Sequence, residues 1–168
     1  MTLLERIYRI THRKSDSNRG GVEVPYYWKY SLWTIIKKPV RKWFSAVLIP
    51  TIPFNGLRVQ CYRWCGYKIG KNTFIGMRCY LDDMCFDKIT IGDNVTISYG
   101  VFFAHHGRKQ GHNEIIIKDG AYIGMRATII ARTNITIGEN AVIGACSLVN
   151  KDVPANSTSV GIPNRILS

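Results

Sequence analysis

The side chains in this sequence best suited to moving a proton are four histidines, His12, His105, His106 and His112. An imidazole titrates near neutrality, so it can take a proton from a hydroxyl or amine and pass it to a leaving group. His105 and His106 are adjacent and open onto a polar stretch, Gly107 to Glu114, that has no aliphatic residue and contains His112. Of two neighbouring histidines, one is expected to point outward while the other packs or bonds locally. Asp82, Asp83 and Asp87 are carboxylates able to orient a histidine or accept hydrogen bonds. Lys151 and Arg165 are suited to phosphate.

Metal chemistry is less well served. Cys61 and Cys65 have a metal-ligand spacing, but no second Cys/His pair at such spacing follows, so no metal is expected. Cys79 and Cys85, with Cys146 nearby, do not form a disulfide framework, and all five cysteines read as reduced packing residues of a cytoplasmic protein.

The elements that must position these groups repeat every six residues from Ile69 to Pro154. The hexads start at Ile69, Ile75, Leu81, Ile91, Ile97, Phe103, Ile117, Ile123, Ile129, Ile137, Ile143 and Val149. The frame shifts after residue 86, across the Gly107–Glu114 stretch and after residue 134. The first column is aliphatic except for Phe103. The fifth, Thr73, Cys79, Cys85, Val95, Val101, Ala121, Ala127, Thr133, Ala141, Ser147 and Val153, is small or β-branched throughout. A period of six fits neither an isolated helix nor a two-sided strand, but suits a coil of short strands around a narrow interior. Glycine recurs in the second column, where a tight corner is expected to use its tolerance of positive φ.

These hexads, together with the ending Val160-Gly-Ile-Pro-Asn-Arg-Ile-Leu-Ser168, resemble the hexapeptide-repeat acetyltransferases that act on sugars and polysaccharides. The resemblance implies a mainly β fold, a left-handed parallel β-helix over residues 67–154 with a loop at 107–116 and a tail at 155–168. It implies a homotrimer with active sites between subunits, and acetyl-coenzyme A as co-substrate. It implies a general base at His106, with His105 the alternative, and an acceptor site drawn from Asp82, Asp83, His112 and Tyr122. It implies contacts to coenzyme A from Ala145, Asn150, Lys151 and Arg165. Met125 stands where a small polar residue is usual.

Residues 1–66 read differently. Met1 to Ile10 alternate apolar and charged groups as a short amphipathic helix does, and no signal peptide is read there. Between Val24 and Tyr67, tyrosines and tryptophans alternate with lysines and arginines, as in a segment at an anionic bilayer surface. The same segment suits a helical cap packed on the coil, and the two readings are compatible. Its most apolar run, Trp43 to Phe54, is too short to span a bilayer as a helix. The net charge is +12, yet no nucleic-acid reader motif accompanies it, so nucleic acid is not an expected partner. The leading function is O-acetylation of a sugar in a surface polysaccharide or its lipid-linked precursor, at the inner face of the plasma membrane. The alternatives are a sugar N-acetyltransferase, a metal-dependent β-helical lyase and a non-catalytic trimeric scaffold.

Overall fold

The computed structural model describes residues 3–11, 32–105 and 113–167. They fall into two compact units, residues 1–43 and 44–168. The first holds α1 (Leu3–Thr11) and α2 (Leu32–Trp43). Leu3, Ile7 and Ile10 recur at helical spacing along α1 and are exposed. Arg41 and Lys42 occupy the last turn of α2, where cations suit the helix dipole.

In the second unit, residues 44–66 share one compact body with the coil. A wide turn at Phe44–Leu48 and a 3₁₀ turn at Ile49–Thr51 lead to α3 (Asn55–Cys65). Gly66, at φ 109°, ends α3 in the left-handed conformation, and its N–H donates to the Arg63 carbonyl.

The coil then winds in turns. The first contains β1 (Lys68–Ile69) and β2 (Phe74–Ile75), and the second β3 (Ile89–Ile91), β4 (Thr96–Ile97) and β5 (Phe102–Ala104). The third contains β6 (Ile115–Ile117), β7 (Tyr122–Ile123) and β8 (Thr128–Ile130), and the fourth β9 (Ile135–Ile137), β10 (Val142–Ile143) and β11 (Leu148–Val149). β12 (Thr158–Val160) and β13 (Arg165–Leu167) close the chain. Strands one turn apart pair in parallel to give three faces: sheet A (β1-β3-β6-β9), sheet B (β2-β4-β7-β10-β12-β13) and sheet C (β5-β8-β11). Among the described residues only β12 and β13 pair antiparallel.

The register measures each departure from three hexads per turn. Lys68 pairs with Thr90, Thr90 with Ile116 and Ile116 with Thr136, which are steps of 22, 26 and 20 residues. Against the eighteen of three hexads, the excursions are four, eight and two residues long. All three leave the coil at one corner, where sheet C hands over to sheet A.

The first hexad column is buried from Ile75 to Val149, and Ile69 is half-buried. The fifth column needs correction at two places: Cys85 is half-buried and Thr133 is exposed. Both fall inside excursions, so their interior slot passes to the residue two before the next aliphatic. On sheet A that residue is Ile89, Ile115 or Ile135, each fully buried.

The expected reason for the second-column glycines also fails. None of Gly70, Gly76, Gly92, Gly124, Gly138 and Gly144 has positive φ; each lies against the next turn. A Cβ at Gly124 would stand 2.5 Å from the Ala145 nitrogen, and one at Gly76 2.6 Å from the Ser98 carbonyl carbon. The left-handed conformation belongs instead to the fourth column: Asn72, Arg78, Asn94, Gly100, Gly120, Arg126, Asn140, Cys146 and Asn156.

Both open ends of the coil are closed. At the start, Arg58 is fully buried, and its Nε donates to the Ile75 carbonyl at 2.7 Å while Nη1 reaches the Ile52 carbonyl. Arg63 donates to the carbonyls of Ile69 and Gly70, and Asn55 exchanges bonds with Thr73 and Ile75. Side chains of α3 thus occupy carbonyls that an uncapped edge would leave for another strand. β13 covers the far edge.

Two substitutions test this packing by denaturant unfolding. Gly124→Ala is expected to lower stability by roughly 1–3 kcal/mol, because its methyl has no room against the next turn. Cys146→Asn, at φ 58°, is expected to raise stability by about 1 kcal/mol, because asparagine tolerates the left-handed region better.

Candidate active site

The corner between sheets C and A gathers polar groups. In the first turn Asp82, second in the Leu81 hexad, is fully buried. Its Oδ2 accepts the His105 backbone N–H at 2.9 Å and its Oδ1 accepts that of Met84 at 3.1 Å. The His105 imidazole is fully buried as well, with Nε2 4.0 Å from Asp82 Oδ1. One carboxylate therefore fixes the root of the first excursion and the backbone of the next turn's histidine.

The larger excursion is pinched at its base, where the Asn113 N–H donates to the His105 carbonyl at 2.9 Å. Asn113 Nδ2 donates to the Ala131 carbonyl one turn further, at 2.8 Å. Lys88 and Glu114 form an ion pair at 2.9 Å that ties the two excursions together. The Lys88 hydrogen bond holds the Glu114 carboxyl below its ordinary range. That tie persists through neutral pH and is released when acid protonates Glu114 or strong base deprotonates Lys88.

Beside this corner the outer surface of sheet C carries Tyr80 and Phe102, stacked with centroids 4.7 Å apart and planes at 16°. Phe102 is 43% exposed. The Tyr80 hydroxyl donates to Asp83 Oδ1 at 3.4 Å. Burial, then the carboxylates of Asp83 and Asp82, push that hydroxyl up to about 12, so it stays protonated at neutral pH.

The sequence-predicted residues divide among corners. Asp82, Asp83 and His105 meet at the C–A corner, and Asn150 and Lys151 lie on the same corner in the last turn. His106 and His112 lie outside the described residues. Tyr122 is elsewhere, on the outer face of sheet B, where its hydroxyl accepts from Ser98 at 3.2 Å. Ala145 sits exposed on the corner between sheets B and C, and Arg165 is exposed on β13, opposite Val160. Asn113, the Lys88–Glu114 pair and the Tyr80–Phe102 stack were missed. The signal for Asn113 and Glu114 was their place just before the isoleucine run that leads into the Ile117 hexad.

Among the described residues no group of three or more His, Cys, Asp or Glu side chains is placed to hold a metal ion. Cys61, Cys65 and Cys79 are buried, as expected of packing residues, whereas Cys146 is exposed.

Residues 67–102 and 114–151 match the family described as the hexapeptide repeat of succinyl-transferase. A serine acetyltransferase of Staphylococcus aureus (strain MSSA476) is 42% identical over 180 residues, covering 99% of this chain and 79% of the relative. The chain belongs to the hexapeptide-repeat acetyltransferases. Two solved acetyltransferases of this hexapeptide-repeat group superimpose on it with a TM-score of 0.64. One is a hexapeptide-repeat acetyltransferase from Vibrio cholerae O1 biovar eltor complexed with acetyl-coenzyme A, 27% identical and covering 80% of this chain and 87% of its own. The other is a maltose O-acetyltransferase from Clostridium difficile 630, 26% identical and covering 82% and 88%. Like them, this hexapeptide-repeat protein is a left-handed parallel β-helix. It spans about half the length of other curated relatives it matches, 56% and 44% of two Bacillus serine acetyltransferases.

The hold of Asp82 on this corner is testable. Asp82→Ala leaves the buried amide of His105 and the part-buried amide of Met84 without their acceptor, and is expected to cost about 1–3 kcal/mol. Hydrogen exchange should quicken at those two amides while the amides of sheet B stay protected.

Proposed function

We propose that this protein transfers an acetyl group from acetyl-coenzyme A to a hydroxyl of a sugar in a surface polysaccharide or its lipid-linked precursor. The observation that carries the reading is the buried Asp82 carboxylate, which takes the His105 backbone N–H and lies 4.0 Å from its imidazole at the root of the eight-residue excursion. His106 is the base: with His105 packed inward, its neighbour is the histidine left to face the acceptor. It takes the hydroxyl proton as the oxygen attacks the thioester carbonyl. The C–O bond forms, the C–S bond breaks, and the imidazolium returns the proton to the departing thiolate. Asp82 positions the backbone of His105, and His112 is a further acceptor contact.

The Tyr80–Phe102 stack favours a sugar, since an exposed ring offers its face to the C–H surface of a pyranose. Coenzyme A lies along Ala145, Asn150, Lys151 and Arg165, with Lys151 and Arg165 meeting its phosphates. Tyr122 and Ala145 stand on other parts of the coil than His105 and Asp82. A homotrimer that sets one copy's B–C corner against its neighbour's C–A corner reunites them. A second reading, serine as the hydroxyl acceptor, is favoured by the printed activity of the Staphylococcus relative.

The protein also meets an anionic membrane. Residues 44–66 pack one face of α3 on the coil through Val59, Cys61 and Tyr62, while Phe54 and Trp64 are 71% and 72% exposed. No helix among the described residues is long and apolar enough to cross a membrane, so this contact is at the surface.

Thioester consumption over a panel of sugars, lipid-linked glycans and serine tests the assignment. His106→Ala is expected to lower turnover at least about 100-fold, as loss of a general base does, while coenzyme A still binds. Near-normal turnover in that variant together with loss in His105→Ala would transfer the role to His105. Acetylation of serine alone would replace the sugar reading with the second one. Sedimentation of the full chain with phosphatidylglycerol vesicles should fall in Phe54→Ser/Trp64→Ser; unchanged partitioning rejects the membrane contact.

A further inference from the structure

The two regular corners of the coil differ in what they place in the left-handed column. At the corner from sheet A to sheet B the column reads Asn72, Asn94, Gly120, Asn140 and Asn156, residues that tolerate this conformation. At the corner from sheet B to sheet C it reads Arg78, Gly100, Arg126 and Cys146, with Arg78 at φ 56° and Arg126 at φ 54°. A long branched cation held where asparagine or glycine is unstrained is a backbone cost that packing does not explain, because both arginines are exposed.

The side chains converge. Arg78, in the first turn, lays its guanidinium over the Tyr99 ring of the second, 5.9 Å from the centroid. Arg126, in the third, leans back toward the same turn: its Cγ lies 3.5 Å from where a Cβ on Gly100 would stand. Two arginines two turns apart, roughly 10 Å by the usual strand spacing, thus flank Tyr99-Gly100, Arg78 through its guanidinium and Arg126 through its Cγ. The corner segments themselves, residues 76–79, 98–101, 124–127 and 144–147, contain no Asp or Glu. Among the described residues neither arginine has a carboxylate partner.

We infer that this corner is a diphosphate-binding ridge, in which Arg78 and Arg126 each take one phosphoryl group of a diphosphate ester across the Tyr99-Gly100 turn. Guanidinium groups bind phosphate oxygens in pairs, and two arginines converging from either side match the two halves of a diphosphate. A monophosphate engages only one of them. Gly100, at φ 70°, holds a left-handed backbone that a side chain would strain, and Arg126 Cγ lies in contact range of the site. The diphosphate has two possible sources, coenzyme A or a diphosphate-linked sugar acceptor, and only that attribution rests on the function proposed above.

The test is calorimetric titration of the full chain with inorganic pyrophosphate, with inorganic phosphate as the weaker control. Arg78→Asn/Arg126→Asn removes both cations with a residue the backbone prefers. It is expected to weaken pyrophosphate binding at least tenfold, or about one decade in Kd, while Tm holds or rises. Parallel titrations with coenzyme A and UDP-N-acetylglucosamine assign the source: the ligand whose affinity falls with that of pyrophosphate is the one the ridge serves. Wild-type protein that does not bind millimolar pyrophosphate overturns the proposal, as does a double variant that binds it equally well. Absent acetyl transfer with pyrophosphate binding intact would sink the proposed reaction and leave the ridge standing.

Discussion

The whole coil depends on how closely one turn lies on the next at two of its corners. Gly70 donates its N–H to the Ile91 carbonyl, Gly92 to Ile117, Gly124 to Ile143 and Gly138 to Val153, all at 2.8 Å. There is no space for a Cβ at these points, so most of the second hexad column stays bare at these corners; Lys118 and Ser98 make the same ladder bond at 2.9 Å. That column is glycine, lysine or serine at the A–B and B–C corners. At the C–A corner it reads Asp82, Ala104, Ile130 and Asn150. A corner without the glycine constraint is free to vary in length, and every excursion is found there.

Concentrating the excursions at one corner has a chemical consequence. Turns two residues or eight residues too long would leave backbone groups unpaired, and side chains make good the loss: Asp82 for Met84 and His105, Asn134 for Glu114, Asp152 for Thr136. The polar groups that stabilise the irregular corner are thus those that surround its histidine. Rigidity comes from the coil and variability from the loop, the usual division in a site built on a regular scaffold.

The repeat, the three interruptions and the parallel coil were all legible in the sequence, because an interior one residue wide restricts two columns in six. The errors came where one signal has two physical causes. Glycine serves close approach as well as positive φ, and only the coordinates distinguish Gly76 from Gly100. Cys85 and Thr133 obeyed the column rule yet lie in excursions, since the frame is set by the aliphatic that follows. The burial of His105 was not legible: adjacent histidines announce that one packs, but the partner that decides it, Asp82, comes 23 residues earlier. A helical cap on the coil was one reading of the sequence, but it was expected to pack through aromatics, not through Arg58 and Arg63 on backbone carbonyls.

The account stands or falls on where the acyl carrier lies relative to the irregular corner. A crystal structure of the full chain with coenzyme A would decide it. The thiol is predicted within hydrogen-bonding reach of the imidazole of residue 106 or 105, contributed by the same copy or its neighbour. Coenzyme A seated with its thiol remote from the C–A corner of every copy would contradict it.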